Sequence, residues 1–184
     1  MKASNLIKNA GNNNGSGTLL AGQMTLTGDT FTNQGTTQAD NLTLNYDQLT
    51  NNGTLLGNNQ LTVNGTQVDQ SASGKLFSGG DLFVGASGLN ALGQVVALGN
   101  LTLQLANAFT GQTTLAAGKT LTVTSNGAID NQNVMRGPAV NLSAGGQLTS
   151  SGEITPGSDA STISGNNNVQ HTNRALQGGG HGTL

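Results

Sequence analysis

The feature of this sequence that most constrains its fold is a short triplet, apolar–polar–apolar, that returns at nearly constant intervals along the chain. The middle residue is usually threonine, and the first residues of the triplets are Met24, Leu42, Leu61, Leu82, Leu101, Leu121 and Val140. Subtraction of successive residue numbers gives steps of 18, 19, 21, 19, 20 and 19. A fixed period of this length is typical of solenoids, in which each repeat stacks on the next.

Two further apolar positions accompany each triplet. The second position lies seven residues after the triplet in the first four repeats and eight in the last three, at Phe31, Leu49, Val68, Leu89, Phe109, Ile129 and Leu148. The third lies about six residues before the next triplet, at Leu55, Leu76, Val95, Leu115 and Val134, with Leu19, Thr36 and Ile154 in equivalent places. Each repeat therefore has three apolar stations.

Within the first station the polarity alternates from one residue to the next. Leu101 and Leu103 would face one side of the backbone, and Thr102 and Gln104 the other. A period of two predicts β-strands with one buried face. The frequent Gly and Asn residues oppose helices, whereas Thr and Val favour strands.

Short strands joined by Gly- and Asn-rich turns could also form a sandwich or an up-and-down barrel. The return of all three stations in phase instead favours one coil per repeat, with each strand parallel to its counterpart one coil away. We therefore predict an all-β parallel β-helix with three short strands per coil and about seven to eight coils of 18–21 residues. Columns of Leu, Val, Ile and Phe would fill its interior.

The turns occupy constant phases as well. Asn33–Thr36, Asn51–Thr54 and Ser150–Glu153 all follow the second station. We expect Gly and Asn at these corners to adopt positive φ. Asn recurring at one corner would also stack as an amide ladder from coil to coil.

The periodicity divides the chain into two parts. We assign residues 1–164 to the solenoid, with Leu6–Ile7 as a first station, Ser71–Lys75 as a longer corner and Ser161–Ile163 as the start of another coil. We expect residues 165–184 to be an irregular or flexible continuation. Neither end resembles a cap, and uncapped strand edges invite association, so we expect a fragment of a longer chain.

The composition argues against several functional classes. Charged residues make up 8% of the chain and the net charge is −2, which gives no basic surface for nucleic acid. There is no cysteine, so we expect no disulfide. No apolar run approaches the length of about 20 residues that a membrane-spanning helix needs, so we expect no membrane insertion. We expect no cofactor.

Candidate sites are few. His171 and His181 lack the further ligands that a metal site needs, and Asp29 and Asp47 are interpreted as a solvated pair at one corner. We predict no catalytic, cofactor-binding or metal-binding residue. Phe83 takes the outward place that threonine holds in most coils, and is the candidate surface contact, because an exposed aromatic can anchor a partner.

Several segments resemble filamentous haemagglutinin repeats. They are Asn-Leu-Thr-Leu at 41–44 and 100–103, Gly-Lys-Thr-Leu-Thr-Val at 118–123, Leu-Thr-Asn-Asn-Gly-Thr-Leu at 49–55 and Val-Asn-Leu-Ser-Ala-Gly-Gly-Gln-Leu at 140–148. The resemblance covers roughly residues 15–155. It implies the right-handed parallel β-helix found in the shafts of two-partner-secreted exoproteins, a family of adhesins, haemolysins and contact-dependent growth-inhibition toxins.

The resemblance implies a structural role and no enzymatic one. We expect a stalk segment of a large secreted, cell-surface, outer-membrane-associated virulence protein, which presents binding or toxic domains and contributes to adhesion. The implied partners are the rest of the exoprotein, its outer-membrane two-partner transporter and a receptor on a host or target cell. Two alternatives stay open: a β-helix that binds or cleaves polysaccharide, and a receptor-binding segment.

Overall fold

The computed structural model describes residues 2–9, 12–15, 17–166, 169–171 and 182–183, with side chains described for 17–166, 169 and 170. Regular structure in these ranges is entirely β, and no helix there is long and apolar enough to cross a membrane. The strands are β1 (Lys2–Asn9), β2 (Asn12–Gly15), β3 (Thr18–Asn33), β4 (Thr36–Asn51), β5 (Thr54–Gln70), β6 (Lys75–Ser78), β7 (Asp81–Ala91), β8 (Gln94–Ala97), β9 (Leu101–Leu105), β10 (Phe109–Gly111), β11 (Leu115–Ala117), β12 (Thr120–Ser125), β13 (Ile129–Asn131), β14 (Val134–Gly137), β15 (Ala139–Ala144), β16 (Leu148–Ser150), β17 (Glu153–Pro156), β18 (Ser161–Gly165), β19 (Val169–His171) and β20 (Gly182–Thr183).

The strands stack in parallel, one coil on the next, and the predicted β-solenoid is confirmed. Adjacent members of the first station are direct strand partners through the whole series Leu6, Met24, Leu42, Leu61, Leu82, Leu101, Leu121 and Val140. From Met24 onward, these residues are at most 1% exposed. Each such side chain contributes about 1.5–3 kcal/mol through burial, and it is buried only because a neighbouring coil covers it.

The third station is corrected at two positions. Met135, not Val134, pairs with Leu115 and Ile154, and it is fully buried while Val134 is half-buried. A Cβ at Gly111 would lie 2.9 Å from the Cε of Met135, so the glycine leaves room for this longer side chain.

The second correction concerns the coil of β4. Thr37, with 1% exposure, is the partner of Leu19 and Leu55, whereas Thr36 is half-buried. In both cases the inward-facing residue is the one that follows the predicted residue. Alternation in a strand requires that one of two neighbouring residues faces inward, but it does not determine which of the two.

The coils change cross-section along the molecule. In β3, β4 and β5 a single strand of 16 or 17 residues runs around two corners, whereas from β9 onward each coil has the predicted three short strands. The transition coincides with the change from seven to eight residues between the first two stations. Here the second-station ladder is interrupted: β10, β13, β16 and β19 form a separate four-stranded sheet.

Extra residues are absorbed at corners. Asn51 of β4 pairs with Gln70 of β5, whereas Thr54 of β5 pairs with Lys75 of β6, so the step from coil to coil lengthens by two between these pairs. The added length forms a turn closed by a 2.9 Å hydrogen bond from Gly74 N–H to the Ser71 carbonyl. The predicted longer corner at residues 71–75 is therefore confirmed.

The stacking continues beyond Ser164. Val169–His171 pairs with Leu148–Ser150, and Gly182–Thr183 pairs with Ser161–Thr162. The rest of the expected irregular segment, including His181, lies outside the described residues.

Glycines at the corners serve close backbone approach. At Gly53, φ lies outside the left-handed range, so the expected positive φ is wrong at this corner. A Cβ there would collide with the carbonyl oxygen of Gly35 one coil below. The Gly35 carbonyl also accepts a 2.8 Å hydrogen bond from Thr54 N–H. The stacking distance between coils, rather than the local dihedral angle, requires glycine.

The expected amide ladder is present inside the solenoid. Asn33 and Asn51 are strand partners, are at most 3% exposed and are joined by a side-chain hydrogen bond of 2.9 Å. Asn51 in turn donates to the Lys75 carbonyl of the next coil at 3.1 Å. Because the side-chain amides of Asn33 and Asn51 are both hydrogen-bonded, burial of these two residues carries no large uncompensated cost.

Candidate functional site

The outer face of the first-station sheet carries the predicted threonine column. Its members are consecutive strand partners one coil apart: Thr25, Thr43, Thr62, Phe83, Thr102, Thr122, Asn141 and Thr162. The column is therefore interrupted at Phe83, as the sequence indicated, and also at Asn141. These outward side chains are half-buried or exposed, while the apolar residues on either side of each are buried.

Phe83 interrupts this column as the sequence predicted, and its ring leans along its own strand. A Cβ at Gly85 would lie 2.9 Å from the Cε1 atom of Phe83 and 3.2 Å from its Cζ atom. The ring therefore occupies the space above Gly85, which is the next outward position of β7. An aromatic ring over a strand glycine covers backbone that would otherwise be bare. This contact leaves Phe83 half-buried.

A depression of about 500 Å³ opens beside Phe83. It is lined by two neighbouring columns of outward-facing residues, which belong to the four coils of β5, β7, β9 and β12. The residues that matter for its chemistry are Gln60, Asp81, Phe83, Asn100, Thr102 and Thr122. Three spacings of about 4.8 Å between parallel strands give it a length of about 14 Å along the solenoid axis. We call this feature the Phe83 groove.

The polar wall of the Phe83 groove is ordered by hydrogen bonds between coils. Asp81 accepts 2.7 Å and 3.2 Å hydrogen bonds at its Oδ1 atom, from the backbone N–H and the side-chain amide of Asn100. Asn100 in turn accepts a 3.3 Å hydrogen bond from Thr120 N–H. Asp81 and Asn100 are thus each held by the coil that follows, whereas Gln60 donates a 3.4 Å hydrogen bond to the Thr62 hydroxyl of its own strand.

In the described part of the structure, the sequence candidates for chemistry form no group larger than the pair Asp29 and Asp47. Among the side chains that the structure describes, no three His, Asp or Glu groups lie close enough to hold a metal ion. Asp29 and Asp47 are exposed, on equivalent corners of adjacent coils. Tyr46 is buried, with its ring centroid 5.0 Å from that of Phe31, and belongs to the core.

The third-station sheet carries an apolar outer surface that sequence reasoning missed. Leu56, Phe77, Val96 and Ala116 are successive outward partners, and exposed Arg136 follows them in the column. Leu98, which is 58% exposed, lies beside this column. The sequence did contain an indication of this surface, because each of these strands has two consecutive apolar residues. One of two consecutive strand residues must face outward, so one apolar side chain of each pair lies on the outer face.

Comparison with known proteins gives one family. The model of the haemagglutinin repeat matches the chain over residues 2–41, 37–82 and 77–152. No solved structure shows a significant match.

The curated relatives are far longer than this chain. A "tRNA nuclease CdiA" of Escherichia coli (strain STEC_O31) is 42% identical over 113 residues, which are 61% of this chain and 4% of that protein. A "Toxin CdiA" of Escherichia coli is 51% identical over 73 residues, 40% of this chain and 2% of that protein. A "Deoxyribonuclease CdiA" of Dickeya dadantii (strain 3937) is 34% identical over 126 residues, 68% of this chain and 4% of that protein.

Proposed function

This chain belongs to the haemagglutinin repeat family, and from that membership we propose that it is a stalk segment of a large, secreted contact-dependent toxin or adhesin. The stalk holds binding or toxic domains at a distance from the cell that produces it. One observation carries the proposal: a continuous column of buried strand partners from Met24 to Val140 builds a rod in which each coil is covered by the next.

The stacking of coils explains how such a segment can act as a spacer. Every coil adds one strand spacing, about 4.8 Å, and each coil is covered by the next, so length is set by the number of repeats. The nuclease activities in the relatives' names belong to those proteins, which are many times longer than this chain. We assign no enzymatic activity to the repeats.

The cellular context of the proposal follows from the family resemblance. We propose that the parent protein is exported through an outer-membrane two-partner transporter and stays at the cell surface. Its partners are then the rest of the same exoprotein and a receptor on the target cell. The low charge of the segment, with a net charge of −2, is consistent with a shaft that binds neither nucleic acid nor lipid electrostatically.

The stalk proposal is tested by shortening the rod in whole coils within the parent protein. Leu121 pairs with Val140, Ile129 with Leu148 and Met135 with Ile154, so all three stations advance by the same step between these two coils. Deletion of residues 121–139 therefore removes one coil and leaves its neighbours in register. The matched control deletes residues 121–129 only, which puts the next triplet out of phase with the preceding one.

The readout is inhibition or binding of target cells, with the amount of surface-exposed protein measured in parallel. We expect the one-coil deletion to preserve both, and the partial deletion to reduce surface display because the stack is broken. Loss of target-cell binding by the one-coil variant at normal surface amounts would contradict a purely structural role. It would favour the receptor-binding alternative instead.

A further inference from the structure

We propose that the Phe83 groove is a binding site for a short, neutral oligosaccharide. The groove combines one aromatic ring, one carboxylate, two carboxamides and a series of threonine hydroxyls. An aromatic ring packs against the C–H face of a sugar, and carboxylate and amide groups exchange hydrogen bonds with its hydroxyls. The inference stands on the geometry of this surface alone and does not depend on the stalk proposal.

The position of the aromatic ring leaves one side of the groove open. The Phe83 ring leans toward Gly85, where a side chain would meet it at 2.9 Å, so the space opposite, over Asp81, stays open. A side chain at residue 85 would displace the Phe83 ring from this position, so the position of the ring depends on the glycine.

The carboxylate is also oriented in advance. Asp81 uses its Oδ1 atom for both hydrogen bonds from Asn100, at 2.7 Å and 3.2 Å. Its Oδ2 atom takes part in no hydrogen bond with the described residues and remains available as an acceptor. One anchored and one available oxygen can accept a hydroxyl proton in a defined direction, and charge-assisted hydrogen bonds of this kind are the stronger ones.

The charge of the groove selects against other ligands. Asp81 is its one charged lining residue, so phosphate, nucleic acid and acidic sugars would meet only negative potential. The apolar lining consists of the Phe83 ring, the edge of the buried Leu82 and the methyl groups of the threonines, and it is interspersed with the polar groups of Gln60, Asp81 and Asn100. An organic ammonium ion could use Asp81 and Phe83 through a cation–π contact. It would leave the amides and hydroxyls of the groove unused.

The size of the groove fits a short chain of sugars. Its volume of about 500 Å³ lies within the roughly 300–1,000 Å³ of ligand-binding clefts. Its length follows the solenoid axis, so the repeating coils present similar hydrogen-bonding groups at regular spacing. On these grounds we place successive sugar units along Asp81, Asn100 and Thr120, with one unit against Phe83.

The test uses saturation-transfer NMR and titration calorimetry with the 184-residue chain. The probes are the neutral sugars maltotriose, cellotriose and fully N-acetylated chitotriose, with sialyllactose and tetramethylammonium as acidic and cationic comparisons. We expect at least one neutral trisaccharide to bind, with saturation transferred from the protein to its protons. Phe83→Thr, which restores the residue type of the neighbouring coils, should weaken that binding by about tenfold or more.

Two further variants separate the role of the groove from general effects. Phe77→Val is the control on another face of the solenoid, and it introduces the residue type that the next coil carries at the equivalent outward position, Val96. It should leave trisaccharide binding unchanged. Asp81→Asn should weaken binding severalfold while circular dichroism and thermal melting stay like those of the parent chain. The proposal is overturned if no neutral trisaccharide binds, if Phe83→Thr binds as well as the parent, or if tetramethylammonium or sialyllactose alone binds.

Discussion

The side-chain amide of Asn33 donates a 2.9 Å hydrogen bond to the side-chain oxygen of Asn51, across one coil and inside the solenoid. The same amide also donates to the carbonyls of Gly35 and Thr54 at 3.1 Å. One buried side chain thereby ties together the corners of two successive coils. The column ends at Gln70, which donates a 2.9 Å hydrogen bond to the Gln94 carbonyl, while its own carboxamide oxygen has no hydrogen-bond partner among the described residues because Asn51 donates to the Lys75 carbonyl instead.

Replacement of Asn51 by alanine should destabilise the chain by about 1–3 kcal/mol, since it removes both a partner of Asn33 and the donor to the buried Lys75 carbonyl. Guanidinium unfolding followed by circular dichroism measures the effect. Asn59→Ala is the matched control at an exposed position, and its effect should stay within about 0.5 kcal/mol. Equal effects at the two positions would show that the internal amide column adds no stability.

A charge in the first-station column should be severely destabilising. Leu101 and Leu121 are fully buried partners, so Leu101→Asp or Leu121→Asp places an unpaired carboxylate in the stack and should cost roughly 4 kcal/mol or more. Thr102→Asp faces outward and should cost about 1 kcal/mol or less through lower strand propensity. Thermal melts compare the three variants, and similar melting temperatures would refute the inward and outward assignment.

Gly53→Ala should destabilise by about 1–3 kcal/mol, because its methyl group would strike the backbone oxygen of Gly35 and force two coils apart. Gly17→Ala is the natural control, since a Cβ there would meet nothing within 4 Å. It should be neutral or stabilising by up to ~1 kcal/mol through a smaller unfolded-state entropy. Denaturant midpoints distinguish the two, and a harmless Gly53→Ala would mean that the corners separate freely.

The corrected third station makes a prediction about two adjacent residues. Met135→Ala should cost about 2–5 kcal/mol, because Met135 is fully buried in the column and fills the space beside Gly111. Val134→Ala removes a half-buried side chain and should cost well under half as much. Chemical denaturation of both variants provides the measurement. A larger loss for Val134→Ala would restore the original assignment of the station.

Phe83 and the groove beside it differ in how far the sequence predicted them. Phe83 was recognisable because it breaks a threonine column, and its placement on the outer face is confirmed. The groove beside it was not predictable, since it depends on the direction of the ring over Gly85 and on the hydrogen bonds of Asn100 to Asp81. Those contacts join residues of successive coils, and only the register of the stack brings them together.

The sequence by itself determined the period of the solenoid, the three stations and the column from Met24 to Val140. Strict alternation and a near-constant repeat leave one register that buries every triplet. The tertiary structure decided which of two adjacent residues turns inward, as at Val134 and Met135, and why Gly53 must be glycine. Both outcomes depend on the backbone one coil away, and the local sequence contains no information about how closely that backbone approaches.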